Sequence, residues 1–131
     1  MSSDVPPPPS PKWMFWTGCV LSALPVLMLL MSASFKFLKP PEVTEGMAKF
    51  GYSESVLLPL GIVELTATVL YVVPQTSVLG AILLTGYLGG ATATHVRIDD
   101  AFHMPIILGV LLWLGLYFRD ARIRALVPWR R

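Results

Sequence analysis

The sequence predicts an all-α membrane protein: an antiparallel four-transmembrane-helix bundle with a short interfacial helix between helices 1 and 2. Three observations carry this expectation. Hydrophobic residues make up 54% of the 131-residue chain and charged residues only 14%, against about 25% charged in a typical soluble domain. The charges are also segregated, leaving four long apolar windows that are free of them or nearly so. Finally, four spans of about 20 residues need about 80 positions. The remainder suffices for tails and loops but not for a separate soluble catalytic domain. Cys19 is the single cysteine, which excludes an internal disulfide, a CxxC redox pair and a cysteine-built zinc site. The net charge of +2 is small and scattered, unlike that of a nucleic-acid binder.

The elements follow in chain order. Residues 1–12 form a proline-rich tail (Pro6 to Pro9 in a row), expected to be extended and solvated. Residues 13–118 form the membrane domain, and residues 119–131 a basic tail. Helix 1 spans about 13–37, opening on Trp13, Phe15 and Trp16, whose rings suit the headgroup interface. Pro25 predicts a kink in mid-span. The leading Asp4 and the prolines are unlike a basic signal-peptide start, and the apolar run is too long for one, so this helix is read as retained. The stretch from Leu65 to Val96 carries no formal charge. As a single helix it would far exceed the roughly 30 Å of a hydrocarbon core. It must turn, and Pro74-Gln75-Thr76-Ser77 is the polar, proline-containing place to do so. Helix 2 therefore covers about 55–73, helix 3 about 77–95, and helix 4 about 101–118. Between helices 1 and 2, Val43, Met47 and Phe50 recur at i, i+4 and i+7 after Pro41, with Gly51 placed to end the turn. That period predicts a short amphipathic helix in the membrane interface.

Basic residues near the helix ends set the orientation. Six lie on the side of the termini (Lys12, Arg119, Arg122, Arg124, Arg130, Arg131) and four on the other (Lys36, Lys39, Lys49, Arg97). Both termini are therefore expected in the cytoplasm, in a cell membrane of the bacterial inner-membrane kind. The C-terminal arginines read as an anchor to anionic headgroups, or simply as the topology signal itself.

Glu64 is the most informative residue. It lies near the middle of helix 2, where an ionised side chain is costly and faces the bundle interior or a water-filled cavity. Gly61, Thr68 and Tyr71 share its face by helical spacing. It is either a proton-handling or ligand-binding carboxylate or a hydrogen-bonded pin between helices, and spacing alone leaves both open. Lys36 stands at the end of helix 1. It can reach inward to Glu64, but snorkelling to the headgroups is the expected default. His95, at the end of helix 3, can titrate near neutral pH or serve as an ordinary helix-end residue. Helix 3 carries Gly86-x-x-x-Gly90 with Gly89, small residues that let backbones approach, with packing inside the bundle as the expected use. His95, Asp99, Asp100 and His103 lack any strict ligand spacing and are expected to form a solvated acidic turn. No metal, no covalently bound cofactor and no catalytic residue is expected.

These pieces resemble, in order and spacing, the DoxX-like family of small four-helix membrane proteins. The residues that carry the resemblance begin with Ser34-x-Lys36-Phe37, then Pro41-Glu42 leading to Phe50-Gly51-Tyr52. Gly61-x-x-Glu64 and Val73-Pro74 follow, and Gly80-Ala81-x-Leu83-Leu84 runs through Gly89-Gly90-Ala91 to His95. The resemblance implies an antiparallel four-helix bundle and an association with membrane oxidoreductase systems, including a subunit linked to thiosulfate oxidation and quinone reduction. It matches Lys36, Glu64 and His95 as polar positions and brings no catalytic role with them.

Two functions are therefore expected in order. The first is a non-catalytic accessory subunit that stabilises or tunes a larger respiratory or photosynthetic membrane complex, its partners being lipid and other membrane subunits. The second is a quinone-linked oxidoreductase component in which Glu64, Tyr71, Lys36 and His95 bind or protonate a quinone head in an apolar cleft, a quinone or a lipid being the noncovalent ligand expected. A carrier is a weaker third, since no inverted repeat relates the halves.

Overall fold

Each apolar window becomes a helix, and every regular element among the described residues is helical. The computed structural model describes residues 11–128. The expected proline tract and the terminal Trp129-Arg130-Arg131 lie outside the described residues. Helix α1 runs Lys12–Leu38, α2 Pro41–Lys49, α3 Leu57–Val72, α4 Ser77–Arg97, α5 His103–Arg119 and α6 Ala121–Leu126. Short 3₁₀ turns, Glu54–Val56 and Pro74–Thr76, lead into α3 and α4. Pro25 lies inside α1 without ending it.

The turn between α3 and α4 shows why polar residues interrupt the apolar run there. The last carbonyls of a helix have no intrahelical donor, and in lipid no water replaces it. Thr76 Oγ1 donates to the Leu70 carbonyl at 2.7 Å, and Ser77 Oγ donates to the Tyr71 carbonyl at 2.8 Å. Helix α2 starts on Pro41 and ends where the Tyr52 and Gly51 amides return to the Met47 and Ala48 carbonyls, both at 3.0 Å. That closure needs a left-handed residue, and Gly51 supplies it at φ 89°.

Around the bundle α1 packs on α5 and α3, α3 on α4, and α4 on α5. The shared core includes Leu29, Ala67, Tyr71, Leu84, Leu112 and Leu116. Large apolar side chains also cover the outside: Trp16, Leu27 and Ile82 are 65%, 63% and 56% exposed. Water would not tolerate so apolar an exterior, whereas hydrocarbon favours it.

Three helical segments are long and apolar enough to cross a membrane: Lys12–Leu38, Glu54–Val72 and Pro74–Arg97. The apolar His103–Arg119 is shorter, at 17 residues. It rises about 26 Å at 1.5 Å per residue. Its limit is Asp120, whose extended backbone (φ −127°, ψ 112°) ends α5 and whose side chain caps α6 by accepting from the Arg122 amide. Two of the basic-tail arginines are engaged here. Arg122 pairs with Asp120 at 2.9 Å, and Arg124 donates to the Tyr117 and Phe118 carbonyls at the end of α5.

Candidate functional site

Three helices contribute to one polar cluster. Glu64, in the middle of α3, is fully buried. Lys36 comes from the last turn of α1 and its Nζ lies 2.8 Å from Glu64 Oε2. Tyr87 of α4 donates its hydroxyl to the same oxygen at 2.8 Å. The ammonium also donates to Ser32 Oγ at 2.8 Å and lies 5.8 Å from the centre of the Tyr87 ring. Helix α1 can approach this closely because Gly61 faces it: a Cβ there would stand 3.2 Å from Lys36 Cβ. A buried ion pair repays its desolvation only with good geometry and further hydrogen bonds, and Oε2 has both. Glu64 Oε1 is buried and has no hydrogen-bond partner among the described residues.

The cluster forms part of the polar wall of a cavity of about 570 Å³, to which Tyr52, Thr94 and His95 also contribute. The rest of the wall is largely apolar and includes Met28, Met31, Met47 and Met104, four of the chain's six methionines. Thioether side chains are flexible and polarizable, so such a wall can adapt to a bound shape. Val43, Met47 and Phe50 of the α2 segment also line it. That segment is tied across the end of α4. The Phe50 and His95 rings are 4.7 Å apart, Tyr52 Oη lies 3.1 Å from Thr94 Oγ1, and Arg97 donates to the Phe50 carbonyl. The apolar stripe that predicts an amphipathic α2 thus faces a cavity.

Several expectations change. Lys36 does not snorkel: it turns inward, because the ion pair with Glu64 and the Ser32 hydroxyl give its ammonium partners inside the bundle. Tyr71 does not join Glu64. Its hydroxyl donates to the Leu112 carbonyl of α5 at 2.6 Å, with Ser22 Oγ 3.0 Å away. Seven residues along a helix is a rise of about 10.5 Å, so the two side chains share a stripe but not a depth. Thr68 likewise turns back on its own helix, donating to the Glu64 main-chain carbonyl at 2.7 Å. His95 lines the cavity away from the carboxylate, its Nδ1 2.7 Å from the Ala91 carbonyl and its Nε2 4.0 Å from Asp100 Oδ2.

The glycines differ too. Among the described residues a Cβ on Gly86, Gly89 or Gly90 would meet nothing within 4 Å, so none of them makes there the internal packing expected of it. Close approach falls elsewhere: at Gly80, where a Cβ would stand 2.2 Å from the Tyr71 backbone nitrogen, and at Gly18 and Gly115, where α1 meets α5. Gly86 and Gly90 instead line the cavity. Gly89 lines a separate apolar groove of about 540 Å³ between α4 and α5. Two members of the cluster are not visible in the sequence: Ser32, one small polar residue in the apolar run of helix 1, and Tyr87, an aromatic among apolar neighbours. His95, Asp99, Asp100 and His103 form no group of three or more possible metal ligands among the described residues.

A family model described as the DoxX-like family matches residues 20–116, well over half of the chain. No curated protein and no solved structure matches it. The chain belongs to the DoxX-like family, and with its apolar helices it is an integral membrane protein in contact with the lipid bilayer.

Proposed function

We propose that this member of the DoxX-like family is the quinone-binding component of a larger energy-converting membrane complex, respiratory or photosynthetic. The observation that supports the reading is the cavity of about 570 Å³ with Lys36, Glu64 and Tyr87 gathered on one part of its wall. Sites for small apolar ligands are mostly hydrophobic, with a few convergent polar groups that fix orientation. A quinone is a flat ring with oxygens at its edge and an apolar tail. Its ring fits the methionine-rich cavity, its edge meets the polar cluster, and its tail leaves toward lipid. Glu64 then exchanges a proton with a ring oxygen, while Lys36 and Tyr87 hold the carboxylate in position. The group that carries electrons belongs to another subunit, so the chain orients the ring and is not an oxidoreductase alone. On this reading the four helices α1, α3, α4 and α5 span a bacterial inner membrane as an antiparallel bundle. Both termini lie in the cytoplasm, and α2 lies in the opposite interface. The short α5 is accommodated by local thinning of the bilayer.

A purely stabilising accessory role has one specific support, the groove beside Gly89. Open space at that glycine suits the close approach of a helix from another subunit. The two readings share the partner complex and differ in whether this chain holds a ligand. Purification of the native complex in mild detergent separates them. The expected result is a co-purifying redox subunit together with extractable quinone that is lost in a Glu64→Leu strain. An intact complex with its partner but no quinone overturns the ligand reading and leaves the stabilising one.

A further inference from the structure

We infer that the cavity selects the reduced form of its ligand, binding a quinol through a hydroxyl donated to Glu64 Oε1 in preference to the corresponding quinone. The inference rests on the reading that a quinone-type ring occupies this cavity, and it follows from where the protons are. A carboxylate only accepts hydrogen bonds. The two donors nearest Glu64 are both committed to one of its oxygens: Lys36 Nζ and Tyr87 Oη each lie 2.8 Å from Oε2. The ammonium has a second acceptor in Ser32 Oγ, and the single proton of the Tyr87 hydroxyl is already used. Oε1 remains, buried and without a partner among the described residues, on a residue that lines the cavity. An unpaired acceptor in a site of low dielectric is costly, and a ligand that donates to it removes that cost. A quinol brings a hydroxyl to this oxygen. A quinone brings a carbonyl, which sets acceptor against acceptor.

The same geometry dictates what glutamine does in place of Glu64. Its amide oxygen belongs beside Lys36 and Tyr87, which donate, so its amide nitrogen takes the position of Oε1. The acceptor offered to the ligand thereby becomes a donor, which suits a quinone carbonyl.

The test uses the full chain in lipid nanodiscs. Equilibrium binding is measured anaerobically with tetramethyl-1,4-benzoquinone and with tetramethylhydroquinone kept reduced. The wild type is expected to bind the quinol at least about tenfold more tightly, the worth of one hydrogen bond to a charged acceptor. Glu64→Gln is expected to narrow or invert that ratio. Equal binding, or tighter binding of the quinone by the wild type, overturns the selectivity while leaving a ring-binding cavity in place. Binding of neither compound overturns both. An unchanged ratio in folded Glu64→Gln overturns the role of Oε1. The wild-type comparison decides the matter even if that variant does not fold.

Discussion

Glu64 and Tyr71 lie on one stripe of α3, two turns apart, and the bundle is built in opposite ways around them. At Tyr71 the helices are pressed together. Gly80 brings α4 against the α3 backbone, Gly18 and Gly115 bring α1 against α5, and the hydroxyl spans to the Leu112 carbonyl. At Glu64 the carboxylate is as well buried, but its partners Tyr87 and Ser32 are only half-buried, the neighbouring glycines of α4 face open space, and a cavity of about 570 Å³ adjoins the cluster. A buried hydroxyl bonded to a backbone carbonyl in a tight crossing is a means of joining helices. A carboxylate on a cavity-lining residue, held on one oxygen and with its other oxygen lacking a partner among the described residues, has capacity left for something else. Burial of Glu64 and Tyr71 themselves does not distinguish the two sites; the space beside them does.

The largest expected effect tests that difference through glycine. Gly80→Ala places a methyl group against the Tyr71 backbone and should cost about 3 kcal/mol or more, since overpacking against main chain has little room to relax. Gly86→Ala meets nothing, so helix propensity alone should leave it neutral or up to about 1 kcal/mol more stable. Thermal unfolding in detergent compares the pair, and equal losses would erase the contrast.

Comparable in size is the ion pair. Lys36→Met leaves the buried carboxylate without its cation and should destabilise the bundle by about 3–5 kcal/mol. Adding Glu64→Leu should recover most of that loss. A double variant as unstable as the single one would mean that Lys36 matters for something other than its partner.

Much of this fold was legible because charge segregation is a coarse signal that the bilayer makes decisive. The windows around α1, α3, α4 and α5, the turn at Pro74 and the closure at Gly51 all follow from what hydrocarbon and backbone sterics permit. Glu64 stood out for the same reason. What was not legible depended on direction and depth. Lys36 has a long stem that reaches either the headgroups or the interior, and only the position of Ser32 and Glu64 on the folded helices decides which. Periodicity put Tyr71 on the face of Glu64 but carries no measure of distance along the axis. The glycine spacing of α4 showed that close approach was possible there, not that anything approaches. Tyr87 was indistinguishable from a lipid-facing aromatic until α3 was set beside it.

A smaller effect separates the two tyrosines. Tyr71→Phe removes the bond to the Leu112 carbonyl and should cost about 1–2 kcal/mol while leaving quinone binding unchanged. Tyr87→Phe removes one of the two donors to Glu64 Oε2, a bond to a charged acceptor whose loss should cost at least as much, and ring binding should weaken several-fold. Reversal of these two outcomes would move the site to the Tyr71 end.

The smallest lies outside both regions and serves as a control. The side-chain hydrogen bonds from Arg122 hold the Asp120 carboxyl below its usual range. Because the folded value is depressed, the cap contributes above the ordinary carboxylate pKa of about 3.9 and is lost as the pH falls through the lowered folded value. Hydrogen exchange at the Arg122 amide should therefore accelerate only in acid below the ordinary range, with the Glu64 cluster unaffected by the Asp120→Asn variant.

The most direct measurement fills the space itself. Gly86 lines the cavity and Gly89 lines the groove on the other side, and both have room for a side chain. Binding of tetramethyl-1,4-benzoquinone or its quinol is measured in nanodiscs for Gly86→Leu and Gly89→Leu, with thermal stability confirming that both fold. On this account Gly86→Leu loses binding at least tenfold and Gly89→Leu binds as the wild type does. Two folded variants that bind alike would contradict it.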